Sequence, residues 1–381
     1  MNEEVYVCPA GHQWQPFREP IGVRPDCFVC PVCGAEPRTE EKPREPLIRL
    51  TWRRTAAAVG FVLLLAVIAY GMHYLRLPRP VLTLRPHGGQ PVTGLAFSPD
   101  CTLLATSGRD CRIGIWEVPS GRQKLAFTAH HGWSECVAFA PNGELLVSAG
   151  DDARVAFWDP QTGRELGNVV HAFTAIAVSP DSKRVATGGS DGWLRVWDIA
   201  TSKELHGFQV DTTPVLSVAY SPDGKQLAAG DFMDIVHLLD AESGRQIASV
   251  TSHRTALSTG LAFSPDGKWL AADGPEKAIQ LVDTATGQVA RQFPRAHSFG
   301  ITCMAFSNDG KYLASASGGP TQTGELIIWD VARAKELITL RGHDQVITAI
   351  AFSRTGKYLA TASWDGTAKL WDMDQLVPPA P

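Results

Sequence analysis

The chain has 381 residues, with 35 basic and 39 acidic side chains, a formal net charge of −4 and 44% hydrophobic residues, the composition of an ordinary globular protein with more than one unit. The acidic excess sits in residues 78–381, with 26 basic against 31 acidic side chains, while residues 1–55 hold 8 of each. Duplex-binding domains are strongly basic, so this balance argues against a phosphate backbone as partner.

In chain order, the first unit is a cysteine-rich head over residues 1–36. It holds four of the eight cysteines: Cys8, Cys27, Cys30 and Cys33. Cys8-Pro9-Ala10-Gly11-His12 and Cys30-Pro31-Val32-Cys33-Gly34 look like the two knuckles of a zinc ribbon. Such a turn aims backbone amides at thiolate sulfur, and four soft ligands suit tetrahedral zinc. The expected cofactor is one structural zinc on Cys8, His12, Cys30 and Cys33, with Cys27 the alternative to His12. A disulfide is the competing explanation. So small a unit needs a clamp of this kind to fold. The zero net charge of residues 1–55 favours a structural clip or a protein contact over nucleic acid.

Residues 37–54, rich in proline and mixed charge, read as an extended linker. Residues 56–75, AAAVGFVLLLAVIAYGMHYL, contain no Asp, Glu, Lys or Arg, and about 20 such positions make roughly 30 Å of helix, one bilayer core. A single transmembrane helix is expected over 55–76. Arg38, Lys42, Arg44, Arg49, Arg53 and Arg54 precede it, against Arg76, Arg79 and Arg85 after it. That bias predicts a single-pass membrane protein with a cytoplasmic head and the remaining chain on the opposite side.

Beyond residue 80 the sequence repeats at roughly 40 to 45 residues. A strand-then-turn motif recurs as AFSPD at 96, AFAPN at 138, AVSPD at 177, AYSPD at 219, AFSPD at 262, AFSND at 305 and AFSRT at 351. A second apolar strand, a polar turn and a third strand follow each copy, the third often closing in Trp-Asp, as at Trp158-Asp159, Trp197-Asp198, Trp329-Asp330 and Trp371-Asp372. These residues resemble the WD-repeat family over nearly all of 81–373. The resemblance implies an all-β, seven-bladed β-propeller over 81–377. VLTLRPH at 81–87 matches LITLRGH at 337–343, so the N-terminal segment is expected to supply the last blade's missing outer strand and close the ring.

The resemblance also implies a buried His, Ser or Thr, Asp and Trp network in each regular blade. Four blades supply the full set: His87, Thr106, Asp110 and Trp116; His130, Ser148, Asp152 and Trp158; His171, Thr187, Asp191 and Trp197; His343, Thr361, Asp365 and Trp371. The carboxylate fixes the imidazole tautomer and the indole donates to the hydroxyl. Blades 4 to 6 depart. Leu239 and Met233 replace Trp and Asp in the fourth, Val282 and Glu276 do so in the fifth, and the sixth keeps Trp329 behind a turn four residues longer than that of the seventh.

Catalytic motifs are wanting. Gly188-Gly189-Ser190-Asp191-Gly192 spells a hydrolase elbow, but a strand follows it where the elbow needs a helix. Cys101 and Cys111 lie at opposite ends of one strand, too far apart for a disulfide, while Cys136 and Cys303 read as small buried side chains. The expected function is a non-enzymatic interaction scaffold or sensor that takes other proteins as partners, with no nucleic acid and no small-molecule substrate. The alternatives are an enzyme at the propeller axis and a nucleic-acid-linked regulator acting through the head. Partners are expected on the face formed by the His loops and Asp turns, where Trp133, Phe232, Phe299 and Trp364 are the candidate anchors.

Overall fold

Seven four-stranded antiparallel sheets follow one another around a ring, an all-β, seven-bladed propeller. The structure, a computed structural model, describes residues 6, 7, 10, 11, 13, 14, 78–171, 173–252, 260–293, 297–319 and 321–377. The chain divides into two units, Met1–Leu77 and Pro78–Pro381. In the first, Tyr6–Val7 pairs with Gln13–Trp14, with Gly11 at φ +86 between them.

Blade 1 shows how each sheet is built. Val92–Phe97, Leu103–Gly108, Arg112–Glu117 and Gln123–Thr128 run from the axis outward. The second strand is buried throughout, because neighbouring blades cover both its faces, and its small residues let the sheets approach. Ala105, Ala186, Ala228, Ala271, Ala314 and Ala360 take this role in the second strands of six blades, all with no exposure. The fourth strand is the most exposed and carries the polar residues.

The repeated Ser-Pro-Asp is turn chemistry. In blade 4, Ser221 Oγ donates to Asp223 at 2.7 Å and accepts from the Gln226 amide at 2.9 Å, while Asp223 accepts from the Lys225 amide at 3.0 Å. Those bonds fix the hairpin between the first and second strands. The Asp that closes the third strand does the same in the turn to the fourth: Asp240, here after Leu239, accepts from the Ser243 amide at 2.8 Å.

Seven apolar clusters fill the seven interfaces between adjacent blades. One of them joins the last blade to the first, with Leu84, Val92, Leu104, Ala360 and Leu370 in a single cluster. The closing strand is Leu82–Leu84, paired antiparallel with the third strand of blade 7 as Leu82↔Leu370, Thr83↔Lys369 and Leu84↔Ala368. The long turn of blade 6 is not a loose loop. It continues the hairpin, with Tyr312–Gly319 paired to Gln322–Asp330 across a register shift at Ser317/Gly319.

The expected membrane localisation is corrected by one finding. No helix among the described residues is long and apolar enough to cross a membrane. The longest of them, Met373–Leu376, extends about 6 Å at the helical rise per residue, far short of a bilayer core. The helix expected over 55–76, the basic residues 38–76 that flank it and the proposed zinc ligands Cys8, His12, Cys30 and Cys33, with Cys27, lie outside the described residues. Cys101, Cys111, Cys136 and Cys303 are all free thiols. Cys303 is buried and Cys136 half-buried, and both border a cavity on the propeller axis.

Candidate partner-binding face

Two sets of loops share one end of the ring: those that enter each first strand, carrying the His residues, and the turns between second and third strands, carrying the acidic residues. Hydrogen bonds tie them together. In blade 1, Trp116 Nε1 donates to Thr106 Oγ1 at 3.1 Å, His87 Nε2 meets the same oxygen at 3.2 Å, and His87 Nδ1 meets Asp110 at 2.7 Å. Blade 2 repeats the chain through Trp158, Ser148, His130 and Asp152 at 2.9, 2.8 and 2.9 Å. Blade 7 does so through Trp371, Thr361, His343 and Asp365 at 3.1, 2.7 and 2.9 Å. Such a chain uses a neutral imidazole that donates from Nδ1 and accepts at Nε2. Burial favours that state and holds His87, His130 and His343 below the ordinary value of 6.5. For Asp365, burial acts upward, but the bonds from His343, Thr367 and the Asp344 amide outweigh it and hold the carboxyl low.

Blade 3 is assembled differently. Trp197 Nε1 donates to Thr187 at 2.9 Å, but His171 meets Asp191 through Nε2, at 3.3 Å. Arg195 takes the same carboxylate at 2.7 Å and, as the largest influence, holds Asp191 down to about 2.

Blade 6 holds a fifth network that the sequence expectation missed. Trp329 Nε1 donates to Ser315 at 2.8 Å, His297 Nε2 meets Ser315 at 2.7 Å, and His297 Nδ1 meets Glu325, not an Asp, at 3.2 Å. The signal was present in part. His297 and Ser315 are 18 residues apart, as are His130 and Ser148, but the longer hairpin moves Trp329 to 14 residues from its hydroxyl where the regular blades have 10. Glu325 is held down to about 2, first by its bond with His297 and also by Arg341.

Blade 4 replaces the network. Asp211 stands in the loop position of the His. The fully buried Asp231, two residues before Met233, accepts from the amides of Met233 and Ile235, each at 2.9 Å, and meets His237 Nε2 at 3.0 Å. His237 Nδ1 meets Gln246 Oε1 at 3.1 Å. Donor atoms of Asp211, Asp231 and His237 lie within 4.8 Å of one another, the spacing of a metal site. In blade 5, Gln280 Nε2 reaches the carbonyls of Thr251 and Asp273 at 2.8 and 2.9 Å.

The four candidate anchors all emerge at this face, though not as one patch. Trp133, Phe232 and Phe299 are 43%, 57% and 36% exposed, while Trp364 is half-buried. Trp133 and Trp364, from blades on either side of blade 1, are joined by Arg109, whose guanidinium carbon lies 4.1 Å from one ring centroid and 4.5 Å from the other. Phe299 sits beneath the ammonium of Lys277, 5.6 Å away. Phe232 and the equally exposed Met233 form the tip of the blade 4 turn. Arg109 was not singled out from sequence, where it is one turn residue among many.

Arg109, Trp364 and Glu135 also border the axial cavity, about 430 Å³, which the first strands line. Its hydroxyls serve the ring itself: Thr348 Oγ1 donates to the Val92 carbonyl at 2.7 Å, and Thr302 and Thr93 likewise reach carbonyls of the next blade. Burial pushes the thiols of Cys136 and Cys303 up to about 12, far from the thiolate that a nucleophile requires.

Residues 334–372 match the model of the WD domain, G-beta repeat. No curated protein matches the chain. Residues 91–323, well over half of the chain, match the model described as the IFT122 first beta-propeller. The closed ring and its blade networks are those of a WD-repeat propeller, and the chain belongs to the IFT122 first beta-propeller family.

Proposed function

We propose that this protein is a non-enzymatic scaffold or sensor that holds a partner protein on the face of the His loops and acidic turns. The observation that carries this reading is the set of large side chains left in water there, Trp133, Phe232, Met233 and Phe299, on turns whose backbones are pinned by the networks beneath. Rigid aromatic anchors lose little entropy on binding and dominate interface energetics, each worth about 2 kcal/mol or more when truncated. Trp133→Ala, Phe232→Ala, Phe299→Ala and Trp364→Ala, each assayed for partner affinity and melting temperature, test the reading. Lost affinity at an unchanged melting temperature is the expected result; wild-type affinity in all four points to the opposite face.

For the head we propose one structural zinc on Cys8, His12, Cys30 and Cys33. The spacing of the two knuckles supports it, together with the short hairpin that brackets residues 8–12. Metal analysis of the full chain should find zinc in wild type and lose it in Cys30→Ser. Loss in Cys27→Ser with retention in His12→Ala would reassign the fourth ligand.

A further inference from the structure

The Arg109 guanidinium lies against two indole rings, yet its edge is unused. Its Nε is buried without a hydrogen-bond partner, and no carboxylate among the described residues pairs with it. A guanidinium offers five donors in a rigid planar fork, and stacking between two rings fixes that plane while leaving the fork open. Next to it Glu135 borders the same cavity, and burial, with the nearby Asp151 carboxylate, pushes its carboxyl up. Arg109 pulls that carboxyl the other way without forming an ion pair with it, so its positive charge has no direct counterion among the described residues.

We propose that Arg109, clamped between Trp133 and Trp364 at the mouth of the axial cavity, receives an Asp or Glu side chain of the partner in a bidentate bond. The proposal rests on the reading of this face as the partner-binding face and names the chemistry it recognises. Charge decides for a carboxylate over a phosphate, because Asp151 and Glu135 sit alongside and repel a dianion more strongly. Position decides for a side chain over a chain terminus: the Arg109 mouth lies between anchors of several blades, so a bound segment crosses it and continues to Phe299 or Phe232. The cavity volume of about 430 Å³ holds one such side chain with water to spare.

The test uses the full chain labelled with 5-fluorotryptophan, its Trp133 and Trp364 resonances assigned by Trp→Phe substitution. The probes are a blocked Gly/Ser peptide with one central Glu, its Gln twin, the same peptide with phosphoserine in place of Glu, and a Gly/Ser peptide with a free C-terminus. The Glu peptide should shift both resonances and bind about fivefold or more tightly than its Gln twin, the discrimination expected of a charge-assisted fork. Arg109→Gln should abolish that preference. Arg109→Lys, which keeps the charge and the stacking but lacks the fork, should lose most of it at an unchanged melting temperature, and Glu135→Gln should strengthen Glu-peptide binding. Equal affinity for the Glu and Gln peptides, an unchanged preference in Arg109→Lys, or tighter binding of the phosphoserine or free-terminus peptide overturns the proposal. If Trp133→Ala weakens the partner while Arg109→Gln does not, the inference fails and the face assignment stands. If the Glu preference holds while the partner ignores every substitution on this face, the reverse is true.

Discussion

Ser315 serves two buried groups at once, accepting from the indole N–H of Trp329 and donating to His297 Nε2, so Ser315→Ala strands both. Each buried group left unpaired costs about 1 to 3 kcal/mol, and the variant should lose about 2 to 5 kcal/mol in urea unfolding. Arg341→Ala, at the two-thirds exposed end of the same network, should cost under about 1 kcal/mol. Equal costs for the two would mean that the network contributes little. The histidines add a pH dependence with a definite sign. His87, His130, His297 and His343 are all held below 6.5 by burial, so the unfolded chain binds more protons than the folded one. Their contribution is complete above about pH 6.5 and is lost as pH falls through the folded values. Glu135 acts oppositely: its raised carboxyl costs stability as pH rises above its ordinary 4.5. Four groups against one predict a melting temperature flat from pH 8 to 7 and falling from 6.5 to 5; no change between pH 7 and 5 would contradict it.

At the scale of the element, the closing strand does the most with the fewest residues. Leu82–Leu84 covers the third strand of blade 7, and Leu84 packs into the cluster that joins blades 7 and 1. Removing residues 81–86 exposes Leu370 and its neighbours along an unpaired edge. One buried Leu and the backbone hydrogen bonds of this short ladder come to about 5 kcal/mol, so the truncated protein should melt earlier and aggregate in a concentration-dependent way. Replacing residues 81–87 with a second copy of LITLRGH should restore wild-type melting, since that sequence already pairs with a third strand in blade 6. Failure of the replacement would mean that the Leu82–Leu84 register depends on residues peculiar to this segment. The closure was legible in the sequence because a propeller strand keeps its pattern wherever it lies in the chain. The blade 6 network was not fully legible, because its acid is Glu325 and the extended hairpin stretches the spacing to Trp329. The blade 4 network was hidden for another reason: Asp231 and His237 take places outside the usual motif positions, and only the folded backbone brings them together.

For the whole molecule, periodicity carried the fold and failed at the site. Seven recurrences of one motif specify seven blades, but the stack of Trp133, Arg109 and Trp364 joins turns and loops of three blades, and nothing local marks Arg109 as its centre. The membrane expectation is corrected, because no helix among the described residues is long and apolar enough to cross a membrane. The central claim is that partners meet the ring on the face of the His loops and acidic turns. The most direct measurement places a photo-crosslinking amino acid on that face, in place of the exposed His131, and on the other, in place of the exposed Lys225, and compares the adducts that each forms in its native setting. The account predicts a discrete partner adduct from position 131, lost when Trp133→Ala is added, and none from position 225. Adducts from position 225 alone would contradict it.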